Sequence, residues 1–275
     1  ADVRTTVEAV FMHYGMSAED AKQSTDVLVY ADLRGYDTHG VSNMLRVYVD
    51  FFDKGKINPA PAWKVIRESK ATATIDSDTA HGGVIGPEGM RLAIQKARDC
   101  GVGVVNIYNG GHYGAAAYTA AMALKHDMIG VSMTVGGLEM TPTFGAGKLI
   151  GLNPIAIATP ASKEAPFVFD ASMSGVAGNK IRIANRLGRG TLPAWISQAD
   201  GTPIMDEAPV PEDFMHLPLG GTREIGSHKG YGLAMMIEVL GSVLSGAAAG
   251  PDRRVFQSQQ MIAYDISAFT DLELF

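Results

Sequence analysis

The hydrophobic period of this chain changes once, at Asn58-Pro59-Ala60-Pro61. Two prolines in four residues exclude regular structure there, because each lacks an N–H and restricts the residue before it. Upstream, apolar residues recur at helical spacing. Val7, Val10, Phe11 and Tyr14 share one helix face. Ser17 precedes Ala18-Glu19-Asp20, an N-cap pattern with acids in the first turn. Further helices are expected over Thr25–Asp32 and His39–Phe52, the second stopping at Lys54-Gly55-Lys56. A helical domain over 1–62 and a second domain over 63–275 follow from this break.

Downstream the residues alternate. Trp63–Arg67 and Ala71–Ile75 carry β-branched residues and read as strands. Val102–Tyr108, Ile129–Thr134, Ile155–Thr159, Pro166–Asp170 and Met261–Ile266 read likewise. Pro87 is placed at the first position of a helix running through Glu88–Arg98. Tyr113–His126, Ser174–Leu187 and Gly230–Ser245 complete the helices. Helices first, then strands mixed with helices, give an α+β fold: an N-terminal helical unit plus a sheet domain with flanking helices. The doubly wound dinucleotide fold is excluded as the alternative. Gly101-Val102-Gly103 lacks the third glycine of that fingerprint and precedes its strand instead of following it. The apolar run Gly232–Gly250 contains Glu238 and several glycines, so it reads as a buried helix and not as a membrane span.

Charge and cysteine content remove whole classes. Lys plus Arg number 23 and Asp plus Glu 29, a net charge of −6. The one dense basic run, Lys180, Arg182, Arg186 and Arg189, is too short for a nucleic-acid surface. The single cysteine, Cys100, permits no internal disulfide and no thiolate zinc site, which fits a reducing, cytoplasmic setting. No secretory signal is seen at the start of the sequence, and no membrane partner is expected. Gly145-Ala146-Gly147-Lys148 fails as a phosphate loop, since Pro142 and Leu149 occupy required positions. No metal-binding motif is present, and no metal is expected.

Four clusters could carry chemistry. Gly110-Gly111-His112-Tyr113-Gly114 puts an imidazole at a strand-to-helix turn, where flanking glycines admit a ligand or another backbone. Asp37-Thr38-His39-Gly40 offers a carboxylate, a hydroxyl and an imidazole, or merely a helix cap. Ser227-His228-Lys229-Gly230 opens an apolar helix, where an anion or plain solvent could sit. Asp170 ends a strand, where a carboxylate can bind ribose hydroxyls, hold a histidine or cap a helix. On residues alone, a redox enzyme, a histidine-dependent lyase or hydrolase, and a binding protein all remain open.

In order along the chain, Ala31–Val41, Gly111–Gly114, Gly151-Leu152-Asn153-Pro154-Ile155, Phe167–Ser172 and His228–Leu233 together resemble the malate/L-lactate dehydrogenase-like oxidoreductases. That non-Rossmann family includes ureidoglycolate and sulfolactate dehydrogenases and cyclic-imino-acid reductases. The resemblance implies NAD or NADP held on a mainly antiparallel sheet, with residues 63–275 forming the cofactor-binding and catalytic domain and the site near a homodimer interface. It implies hydride transfer between nicotinamide and a small 2-hydroxy or 2-oxo acid such as malate or lactate, or reduction of a cyclic imino acid. His112 would be the proton acceptor, with His39 and Thr38 at the substrate. Gly136, Asp170, Ala171, Ser172, His228, Lys229 and Gly230 would contact the cofactor. Asn43, Arg46 and Asn153 are the substrate-binding candidates. The sequence departs from the family in three places. Thr38 replaces a common serine. Asn43 replaces a common arginine, whose charge Arg46 or a partner-chain residue is expected to supply. Further helices are expected in the family after Met261–Ile266.

Overall fold

Three helices open the computed structural model, which describes residues 2–275. α1, Val3–His13, starts behind Asp2, whose carboxylate accepts from the Arg4 N–H. α2, Ala18–Leu33, starts behind Ser17, whose hydroxyl accepts from Asp20 N–H at 3.1 Å. The cap works as the sequence indicates, and the helix therefore begins well before Thr25. α3 runs Val41–Asp53. The apolar faces of these helices meet in a core of Val7, Phe11, Leu28, Met44, Tyr48 and Phe52. Val84, from a later helix, completes that core, so the helical unit is packed onto the residues beyond 62 and not set apart from them.

The remainder is built on a seven-stranded sheet. Its strands are β1 (Lys64–Glu68), β2 (Thr72–Asp76), β3 (Val102–Gly110), β4 (Met128–Val135), β5 (Ile155–Thr159), β6 (Phe167–Ala171) and β9 (Gln257–Asp265). The order is β1-β2-β3-β9-β4-β5-β6. Only β2 and β3 are parallel, joined through α4, Gly82–Cys100. Every other pairing is antiparallel. The fold is thus α+β with a mainly antiparallel sheet. A two-stranded ribbon, β7 (Ile196–Gln198) with β8 (Phe214–His216), lies apart. These strands are too short to show a period in the sequence.

α4 and the short α5, Ala116–Ala121, cover one face of the sheet, with Met90, Ile94 and Ala117 against Ile75, Val105 and Ile107. α7, Ser227–Ile237, covers the other, where Ala234 and Ile237 meet Val131, Met133 and Val135. α7 continues through a wider turn at Glu238–Ser242. This stretch, Ser227–Asp252, is long and apolar enough to cross a membrane by length and composition. Ala234, Ile237 and Glu238 are buried against the sheet, while Leu233, Met236, Val239 and Leu244 are exposed, so only one face is the buried helix the sequence led us to expect. α6, Gly178–Arg186, stands near the ribbon, with Ile181 packed on Ile196.

Several boundaries differ from the sequence reading. The helix expected over Tyr113–His126 is α-helical only over Ala116–Ala121, and that over Ser174–Leu187 only over Gly178–Arg186. Two further differences have clear physical causes. β9 begins at Gln257, four residues before Met261, because its polar side chains are paired inside the molecule. Gln260 Nε2 donates to Asn106 Oδ1 at 3.0 Å, and Gln259 Nε2 donates to the Gly111 carbonyl at 2.6 Å. α4 begins at Gly82 behind the N-cap His81, so Pro87 lies inside the helix instead of at its start. A proline at that position leaves the carbonyl four residues earlier, Gly83, without its helical donor. Gln23 on α2 fills the vacancy: its Nε2 donates to Gly83 O at 3.1 Å and to Val84 O at 3.2 Å. Replacing Gln23 by alanine is expected to cost about 1–2 kcal/mol, the typical penalty for an acceptor left unpaired. A urea midpoint equal to the parent's would show that water serves these carbonyls equally well.

Candidate active site

His112 stands where β3 gives way to α5, in a loop fixed by its glycines. A Cβ at Gly82 would come within 2.4 Å of the Gly111 carbonyl and 2.5 Å of the His112 backbone. The start of α4 and the His112 loop are therefore in backbone-to-backbone contact, which no larger residue permits. Gly114 adopts φ +74°, which sends the chain on into α5. The imidazole Nδ1 lies 2.9 Å from the Tyr48 hydroxyl and 3.3 Å from the Gly114 N–H.

His39 reaches the same place from the loop between α2 and α3. Its ring stacks on His112 with centroids 5.7 Å apart and planes 11° from parallel. Thr38 Oγ1 lies 2.7 Å from His39 Nδ1. The Thr38 carbonyl accepts from two amides, Asn43 Nδ2 at 2.9 Å and Asn179 Nδ2 at 2.9 Å. Asn43 is thus a buried brace and does not itself line the site. The imidazoles open onto a cavity of about 870 Å³ between the helical unit, the sheet end and α6. That lies toward the upper end of the range for small-molecule sites.

The cavity gathers many of the residues singled out in the sequence. Thr38, His39, His112, Gly136, Asn153, Asp170, Ala171 and Ser172 all line it. Asp170 Oδ2 also accepts from the Ala117 N–H at 2.8 Å, capping the first turn of α5, which has no cap of its own. Burial pushes the Asp170 carboxyl upward, and that N–H opposes the shift. Asn153 is held at φ +40° by its side chain: Nδ2 donates to Ala234 O at 3.0 Å and to Glu238 Oε2 at 2.9 Å. Glu238 is buried and paired with Arg253 at 3.3 Å, and Arg253 in turn donates to the Gly136 carbonyl. One buried ion pair therefore ties down both Gly136 and Asn153.

Other candidates are placed elsewhere. Arg46 lies on the exposed side of α3 and does not line the cavity, so within this chain it does not supply the charge that Asn43 lacks. His228 and Lys229 are exposed at the start of α7, outside the cavity wall. Gly230 is buried against Leu219, where a Cβ would lie 2.3 Å from the carbonyl; Leu219 itself faces the cavity. Three cations that the sequence reading treated only as a short basic run do line it: Lys180, Arg182 and Arg189. Arg182 Nη1 donates to Asn179 Oδ1 at 3.2 Å, which links it to the Thr38 loop. Tyr48 was also missed, because its apolar neighbours on α3 make it read as plain core.

A nicotinamide dinucleotide fits the donor and acceptor set on these walls. Asn153 Oδ1 and Gln257 Oε1 belong to cavity-lining residues and are buried without a donor. A carboxamide has N–H groups of the kind such acceptors need. The backbone at Gly136 and Gly137 presents no side chain to the cavity, and the three cations suit phosphates or carboxylates. Among the described residues, no cluster of histidine, cysteine and carboxylate side chains could hold a metal.

Burial dominates the electrostatics of the imidazoles. It lowers His39 to about 4 and His112 to about 3; His39, His81 and Arg182 push His112 in the same direction. His81, behind Tyr48, is lowered to about 3 by burial. All three rings are neutral at ordinary pH.

Comparison with known proteins identifies the family of the chain. A profile of the malate/L-lactate dehydrogenase family matches residues 1–275. The malate dehydrogenase of Pyrococcus horikoshii is 42% identical over 238 residues, which cover 86% of this chain and 66% of that protein. The L-sulfolactate dehydrogenase of Methanocaldococcus jannaschii is 38% identical over 274 residues, 97% of this chain and 77% of that one. The crystal structure of malate dehydrogenase from Entamoeba histolytica superposes with a TM-score of 0.91 at 32% identity, over 99% of this chain and 80% of the other. The chain thus spans about two thirds to four fifths of the length of these relatives. It belongs to the malate/L-lactate dehydrogenase family.

The three neutral imidazoles set a pH expectation that holds for any substrate. Their folded values lie below the ordinary 6.5, so the unfolded chain binds more protons under acid conditions. Their contribution to stability is complete above about pH 6.5 and is lost as the pH falls toward about 4 and then 3. The urea midpoint should fall over that range, and less steeply in His81→Gln. Parallel curves for the two proteins would mean that His81 is not held neutral.

Proposed function

We propose that this member of the family transfers hydride between NAD or NADP and a small 2-hydroxy or 2-oxo acid, with His112 moving the proton. The observation that carries the reading is the pairing, in one cavity, of a buried neutral imidazole with an arginine close enough to depress its proton affinity. The relatives named above act on malate and on sulfolactate, both 2-hydroxy acids with a second anionic group.

Arg182 is the residue suited to the substrate carboxylate, since a guanidinium offers a planar, paired set of donors. Lys180 and Arg189 add positive potential on the same wall. Lys180 lies over the Trp195 ring at 5.5 Å. When bound, the nicotinamide supplies the hydride acceptor or donor. His112 takes the hydroxyl proton in oxidation and returns one to the oxygen in reduction. A carboxylate on Arg182 would offset the positive charge that adds to burial in lowering His112. His39, stacked on His112 and fixed by Thr38, limits where the substrate oxygen can sit. Val47, Phe51 and Phe256 on the cavity wall help keep water from the reacting carbon.

Fluorescence titration with NADH and NADPH, followed by turnover on 2-oxo acids and a cyclic imine, tests the reading. His112→Ala should lower kcat by about 10²–10⁴-fold while leaving cofactor binding intact. Arg182→Ala should act mainly on KM for the acid, raising it about tenfold or more. Absence of binding by either cofactor would sink the redox assignment in favour of histidine-dependent chemistry without nicotinamide.

A further inference from the structure

The proposed function leaves unexplained the contact behind His112. Tyr48 is fully buried, and its hydroxyl lies 2.9 Å from His112 Nδ1. The Gly114 N–H lies 3.3 Å from the same nitrogen. A backbone N–H only donates, so Nδ1 accepts it with a lone pair. The Tyr48 hydroxyl has no other acceptor in reach among the described residues, and its proton also points to Nδ1. His112 Nε2 makes no hydrogen bond, is not among the sealed-off polar atoms, and belongs to a ring lining the cavity.

Behind Tyr48 stands His81, 1% exposed. Its Nδ1 accepts from the Gly83 N–H at 3.1 Å, which puts its own proton on Nε2. That Nε2 is buried and has no hydrogen-bonding partner. The ring stands edge-on to Tyr48, with centroids 4.3 Å apart and planes 84° to each other. Phe52 is stacked near-parallel to His81 at 6.2 Å, closing the box.

We propose that Tyr48 is a positioning residue for His112. Its hydroxyl donates to Nδ1 beside the Gly114 N–H, holds the Nε2–H ring in one orientation and presents Nε2 to the substrate oxygen. The resting site then offers an N–H donor to the carbonyl oxygen of a 2-oxo acid. Taking a proton from a 2-hydroxy acid requires the ring to carry its hydrogen on Nδ1 and Tyr48 to turn from donor to acceptor. The inference rests on the proposed role of His112 for its effect on turnover; the tautomer itself does not.

Long-range ¹H–¹⁵N spectra of the whole chain read the tautomer directly, with His112 assigned by the signals lost in His112→Gln. The parent is expected to carry its ring proton on Nε2. In Tyr48→Phe the Gly114 N–H still points to Nδ1, so the Nε2–H tautomer should persist, while kcat should fall about ten- to a hundredfold with KM and NADH binding unchanged. A proton on Nδ1 in the parent overturns the proposal. So does a Tyr48→Phe protein with the parent's kcat. If His112→Ala keeps full turnover, the proposed function fails instead, and the spectra still decide the tautomer.

Discussion

The contact between Gly82 and the Gly111–His112 backbone is the point on which the site depends. Two main chains meet there with no side chain between them. The contact fixes the start of α4 against the end of β3, and so fixes the backbone from which His112 projects. Neighbouring elements reinforce it. Gln259 of β9 holds the Gly111 carbonyl, and Ser24 of α2 lies 3.1 Å from the His81 ring that caps α4. The last strand of the chain, inserted between β3 and β4, therefore supports a loop nearly 150 residues earlier.

A second constraint is electrostatic. The cavity wall combines neutral rings and three cations, and a buried carboxylate–guanidinium pair lies beneath it; each is held by a different layer of the fold. The imidazoles are neutral because the helical unit buries them. The Glu238–Arg253 pair lies on the opposite side, beneath Asn153 and Gly136. A buried ion pair of this kind adds little net stability, but loss of one partner strands the other charge in the interior. Its value here lies in the fixed position it gives to two cavity residues. The cations on α6 are instead exposed and free to adjust to a ligand.

Much of this was legible in the sequence, and the failures have physical causes. The Pro-rich break, the Ser17 cap and the alternating strands are local signals, and they translate directly into structure. His112 at the strand-to-helix turn was found the same way. The early start of α4 was hidden because His81-Gly82-Gly83 has poor helix propensity; its N-cap and Gln23 supply what the local sequence lacks. β9 was read too short because Gln257–Gln260 looks solvated until its partners on β3 and in the His112 loop are known. Arg46 was chosen by helix spacing from Asn43, but α3 turns that face outward. Arg182 was read as part of a basic surface run, since nothing local shows that α6 forms the far wall of the cavity. Tyr48 on α3 and Asn179 on α6 are tied to the site only by contacts distant in sequence.

The glycine contact under His112 also divides what this protein can change by mutation. At Gly82, Gly111 and Gly114 almost any substitution disturbs the backbone that carries the His112 imidazole. By contrast, Lys180 and Arg182 on α6 and Arg189 just beyond it line the cavity through long, exposed side chains. Drift in that segment can reshape one cavity wall while the His112 loop stays fixed. A fold partitioned in this way keeps one side of its cavity constant and leaves the other replaceable.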